Sequence, residues 1–125
     1  SCPIPVLIVK GNCDSEVDQM LLNIPLQAPF LITDQPVGRI LATHGHHYSP
    51  DQALELGRRF QNDIWISGHT HIPVLEKRDG LIFLNPGSCS LPKGDRPVAG
   101  VAVITADQVD LIDLHTGSVY ASLSR

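Results

Sequence analysis

The 125-residue sequence has little of what marks a secreted, membrane-spanning or nucleic-acid-binding protein. Its three cysteines, Cys2, Cys13 and Cys89, are an odd number without paired spacing. That excludes a disulfide framework and points to reduced thiols in a cytoplasmic setting. No apolar run approaches the roughly 20 residues needed to cross a bilayer, and no signal peptide shows in the chain as it starts from Ser1. Basic residues are scarce: nine Lys and Arg against thirteen Asp and Glu give a formal charge of −4 and a pI near 5.8. The densest basic pair, Lys77-Arg78, falls in an expected hairpin, so neither a nucleic-acid surface nor a membrane surface is evident. Internal repeats, linkers and low-complexity tracts are absent, which leaves a single domain over residues 1–125. The hydrophobic content of 42%, with ten Gly and ten Pro, fits a turn-rich globular protein rather than a disordered one.

What the sequence does have is histidine in an uneven distribution. Five of its six histidines lie in Thr43-His44-Gly45-His46-His47 and Gly68-His69-Thr70-His71. Each cluster follows an apolar, strand-like run, Arg39 to Ala42 before the first and Asp63 to Ser67 before the second. A strand ending in Gly and His delivers imidazoles to the carboxyl edge of a sheet, where glycine lets the backbone turn sharply. Neutral imidazole suits borderline divalent ions such as Mn, Fe, Ni or Zn. His69 and His71 stand two apart, so on a flat strand their rings would point to opposite faces. They converge only if Thr70 sits in a turn. A lone His-X-His is as often a polar loop, but two such clusters at strand ends favour a metal site. His47 and His115 read as solvated, Asn12 alone as a turn former and Cys13 alone as a small buried hydrophobe.

The chain reads mostly as strands with two short helices. Ile4 to Val9 predicts a strand buried on both faces, followed by a helix capped near Asp14 or Ser15 with Val17, Leu21 and Leu22 on one face. Leu31 to Thr33 and Arg39 to Thr43 predict a hairpin around Gln35-Pro36-Val37-Gly38. Ser49-Pro50-Asp51-Gln52 predicts a capped helix running to about Phe60, with Ala53, Leu54, Leu56 and Phe60 buried. Ile64 to Ser67 returns as a strand, Asp79-Gly80 marks a tight hairpin, and Val101 to Ile104, Val109 to Leu114 and Val119 to Leu123 form a closing meander.

In order, Gly11-Asn12-Cys13-Asp14, Thr43-His44-Gly45-His46 and Gly68-His69-Thr70-His71, with Asn85-Pro86-Gly87-Ser88 downstream, resemble the later motifs of the calcineurin-like metallophosphoesterases. The likeness is greatest to the YfcE-type bacterial phosphodiesterases, which also carry Cys where most relatives have His in the Asn motif. The resemblance covers essentially the whole chain. It implies an α/β fold of four layers, two mixed β-sheets face to face with helices outside, of which this chain is the C-terminal part. It also implies that an Asp-X-His and a Gly-Asp motif precede the Asn motif; here neither precedes it. Val6 to Val9 would then lie at a sheet edge.

Residue by residue, the resemblance implies that Asn12, His44 and His69 ligate one metal. His71 would ligate a second together with groups from the earlier motifs. It implies a metal-dependent phosphodiesterase in which a hydroxide bridging two ions, Mn foremost, attacks phosphorus. Cys13 takes the place of the family's acid-base His, with Asp14 to orient it, and His46 is a substitute donor, since a thiol is the weaker hydrogen-bond donor. The partner expected is a small phosphoester substrate; association with a second copy of the chain is left open. Two rival readings stand beside the enzyme: a phosphoesterase-like scaffold that binds proteins without catalysis, and a single-metal binding module of Asn12, His44, His69 and His71.

Overall fold

In a computed structural model of the chain, residues 4–11, 26–27, 30–45 and 48–125 are described. Ten strands and one helix are assigned among them. β1 (Ile8–Val9) pairs in parallel with β2 (Leu26–Gln27). A five-stranded mixed sheet has the order β3 (Leu31–Gln35), β4 (Gly38–Ala42), β5 (Ile64–Ile66), β7 (Leu81–Asn85), β6 (Val74–Arg78). Within it β4, β5 and β7 run parallel, while β3 and β6 close the two edges as antiparallel hairpin partners. A second sheet is an antiparallel meander of β8 (Gly100–Ile104), β9 (Gln108–Asp113) and β10 (Val119–Ser124). The two larger sheets with a helix outside are the expected α/β architecture, not a parallel doubly wound sheet, although the second sheet is antiparallel rather than mixed among the described residues.

Alternation along the three parallel strands builds two cores. Ile40, Ile64, Ile82 and Leu84 point toward the meander and pack with Val109 and Leu111. Leu41, Trp65 and Leu81, one residue out of phase, point the other way and pack against Ala53 of α1 (Pro50–Phe60). Strands buried on both faces read as continuous apolar runs, which is why these segments were easy to recognise.

The helix starts where the residues dictate. Ser49 accepts from the Gln52 backbone N–H, Gln52 accepts from the Ser49 backbone N–H at 2.8 Å, and Pro50 occupies the first turn. Of the expected stripe, Ala53 is buried and Leu54, Leu56 and Phe60 are half-buried against the same cluster. Gly57 is the unforeseen member: it is buried, and a Cβ there would lie 2.7 Å from Leu81 Cδ2. The sequence turns α1 as closely onto the sheet as a missing side chain permits.

One further expectation needs correction. Only Ile8–Val9 of the run Ile4 to Val9 is in a strand, and Ile4 and Leu7 are 67% and 55% exposed. Apolar composition alone could not supply the neighbouring strands that would bury them. The first hairpin turns where expected, around Gln35-Pro36-Val37-Gly38: Gln35 pairs with Gly38, and Pro36-Val37 make the turn. The helix expected near Asp14 lies outside the described residues.

Candidate metal centre

The three parallel strands end on one edge, and the histidine motifs begin there. Thr43, buried beyond the end of β4, donates its N–H to the Ile66 carbonyl at 2.9 Å, and Gly68 donates its own to the His44 carbonyl at 3.0 Å. The two loops are thereby stitched together at the carboxyl edge of the sheet. Gly45 follows with φ +98, and a Cβ there would lie 3.2 Å from the Ser67 Cβ. The crossing of the loops leaves no room for a larger residue.

This stitching brings His44 and His69 face to edge. His44 Nε2 and His69 Nδ1 are 3.1 Å apart, with ring centroids 5.0 Å apart. Without an ion, one imidazole N–H serves the other ring's lone pair. Two nitrogens each bound at ~2.0–2.2 Å to one ion also lie roughly 3 Å apart, so this separation is compatible with a shared divalent ion.

The His-X-His spacing is reconciled with a common edge by backbone strain. Thr70 N–H donates to the Gly68 carbonyl at 2.8 Å across His69, whose φ is +69. That is a left-handed γ-turn, a rare and strained conformation. His71 follows with φ +60. Two imidazole positions with positive φ on either side of Thr70 mark a segment whose surroundings over-determine it, as at functional sites. The turn spans Gly68 to Thr70, so Thr70 sits in a turn as expected, with His69 at its centre.

His71 stands apart from the pair. Its Nδ1 meets the Leu91 carbonyl at 2.9 Å. A carbonyl only accepts, so Nδ1 carries the proton and the neutral ring keeps its lone pair on Nε2, the tautomer a metal ligand needs. Among the described residues, no group of three or more His, Cys, Asp or Glu is arranged to hold an ion. Asn12, Cys13, Asp14 and His46 lie outside the described residues. The chain's one Asp-X-His triplet, Asp113-Leu114-His115, belongs to the end of β9. There Asp113 Oδ1 accepts from the His115 backbone N–H at 2.8 Å, and His115 is exposed as expected.

Asn85, quoted above only as the first residue of a motif, holds the histidine loop. It is 3% exposed at the end of β7. Its Nδ2 donates to the Gly68 carbonyl and to Thr70 Oγ1, both at 3.1 Å, and its Oδ1 accepts from the Gly87 N–H at 2.9 Å. A buried amide is satisfied here by the two ends of the γ-turn. The signal in the sequence is an amide closing an apolar strand immediately before Pro-Gly; the Leu91 carbonyl left no such signal.

Comparison with known proteins agrees with this geometry. Residues 1–109 match the calcineurin-like phosphoesterase superfamily domain. The phosphodiesterase YfcE of Escherichia coli K12 is 42% identical over 119 residues, 95% of this chain and 62% of that protein. The solved structure of YfcE, a phosphoesterase from E. coli, superposes with a TM-score of 0.78 at 37% identity, over 94% of this chain and 63% of that one. Wild-type Vps29 of Entamoeba histolytica complexed with Zn2+ superposes with a TM-score of 0.68 at 26% identity, over 95% of this chain and 68% of its own. The chain thus spans under two thirds of the YfcE length. With its motifs in order, its histidine loops joined at one sheet edge and its match to the family model over 109 residues, the chain belongs to the calcineurin-like phosphoesterase superfamily.

Proposed function

We propose that this chain carries the Asn and His side of a two-metal phosphodiesterase centre, and that the protein hydrolyses a small phosphodiester in the cytoplasm. The observation that carries the reading is the 3.1 Å approach of His44 Nε2 and His69 Nδ1, held by a strained turn. In this reading Asn12 joins that pair on one divalent ion, with Mn as the expected metal. His71 serves a second ion through Nε2. Bound divalent ions supply activation of water and neutralisation of phosphoryl charge. The chain's own groups would do the rest: His44 and His69 hold the site on loops joined just beyond the strand ends, and the motif assigns Cys13, with Asp14, to the leaving group, with His46 as the alternative proton donor. An exposed free Cys89 accords with a reducing compartment. The retained imidazole pair favours the enzyme over a scaffold without catalysis.

Hydrolysis of bis-p-nitrophenyl phosphate tests the reading. The 125 residues alone should act little above background. Joined to a family segment that carries the Asp-X-His and Gly-Asp motifs, they should show Mn-stimulated hydrolysis that His69→Ala removes. Inactivity of the joined protein on every phosphoester tried would transfer the reading to the scaffold.

A further inference from the structure

Beside the histidine pair lies a cavity of about 300 Å³ on the outer face of the five-stranded sheet. One end is formed by Gly68, His69 and Thr70, and the walls by Tyr48, Trp65 and Phe83. α1 packs on Leu41, Trp65 and Leu81, over the middle of the sheet, and its N-terminal Ala53 borders the cavity. On the far side is the edge strand β6, whose alternation puts Val74, Glu76 and Arg78 on this face, opposite Asn85, Phe83 and Leu81. Val74 stays 39% exposed.

We propose that this cavity binds a planar aromatic or heteroaromatic group esterified to the phosphate that the histidine site handles, an inference that rests on the phosphodiesterase reading above. Its chemistry is graded along the strand. Nearest the Asn85 end stands apolar Val74, then the half-buried Phe83 ring, then a charged pair. The Arg78 guanidinium lies 5.4 Å from the Phe83 ring centre and is paired to Glu76 at 2.7 Å. Four residues of strand separate Val74 from Arg78, about 13 Å. That length takes a phosphate at His69, one ring system against Phe83, and its polar edge at Glu76 and Arg78. A pocket near 300 Å³ is at the small end of ligand sites, with room for one such group and not two. Tyr48 meets Trp65 edge-on at 5.7 Å, which gives the ring an aromatic wall as well as a floor.

Trp65 is the chain's single tryptophan and forms part of the cavity wall, so its fluorescence is a probe of occupancy there. Titration with phenylphosphonate should give a saturable change at least 10-fold tighter than methylphosphonate, with uridine monophosphate as a third arm that separates nucleotide from plain aryl recognition. Val74→Phe, which fills the groove from an exposed edge position, should remove the preference. Equal response to the phenyl and methyl probes in the unaltered protein overturns the proposal whether or not that variant folds. A strong phenyl preference in a protein that hydrolyses no phosphoester would uphold the cavity and sink the hydrolase reading. Hydrolysis with Trp65 silent to every aromatic probe would do the reverse.

Discussion

At the residue scale the candidate site depends on a few backbone and amide contacts more than on the imidazoles themselves. Asn85 satisfies the Gly68 carbonyl and Thr70 Oγ1 from beneath, so Asn85→Ala should let the γ-turn relax. Loss of such an outer partner typically weakens metal affinity about 10–100-fold, and calorimetric titration with Mn2+ should read that loss. A variant that melts earlier yet binds Mn2+ unchanged would reduce Asn85 to a purely structural role. Gly57 is the second residue with a sharp expectation. Alanine gains about 1 kcal/mol of helix propensity, but its Cβ would meet Leu81 at 2.7 Å. Overpacking of about 1–3 kcal/mol should prevail, and chemical denaturation should show Gly57→Ala destabilised. The histidines were legible in the sequence because residue type and order carry their chemistry. The γ-turn and the Leu91 carbonyl were not, because any residue supplies a carbonyl and the strain arises only when two loops cross.

Elements with both a pattern and a boundary signal are legible in the sequence. The capping box fixed the start of α1, and Asp79-Gly80, at φ +51 and +81, fixed the turn of the β6–β7 hairpin. The run Ile4 to Val9 had a pattern but no local partner, and pairing is decided by strands distant in sequence. The meander carries a prediction of its own. The Ser122 hydroxyl at 2.6 Å, and then the Gln108 amide, donate to the Asp110 carboxylate and hold its pKa below the ordinary carboxylate range. A depressed folded pKa adds stability that is present above the unfolded value near ~3.9 and lost as pH falls through the folded one. Ser122→Ala should therefore lower the melting temperature at about pH 7, and the gap to the parent should close at about pH 2. A gap that stays constant across that range would show that the hydroxyl acts through packing and not through the charge.

On the scale of the whole molecule, the order of motifs and the family match agree, while among the described residues only His44 and His69 of the proposed ligands come together. The chain spans 62% of the E. coli phosphodiesterase it resembles, and on the two-metal reading proposed above His71 would share its ion with ligands beyond those described. In the joined enzyme, Cys13→His should raise activity toward poorer leaving groups, since imidazolium is the better proton donor. Rates on a series of aryl phosphodiesters of rising leaving-group pKa check this, and an unchanged slope would contradict it. The most direct measurement is anomalous diffraction from crystals of the chain soaked in Mn2+. The account predicts a peak about 2.0–2.3 Å from His44 Nε2, His69 Nδ1 and the Asn12 amide oxygen. Its central claim is contradicted if no metal enters at saturating Mn2+ and the two imidazoles stay hydrogen-bonded to each other, or if Asn12 lies more than about 10 Å from His69, too far to share an ion.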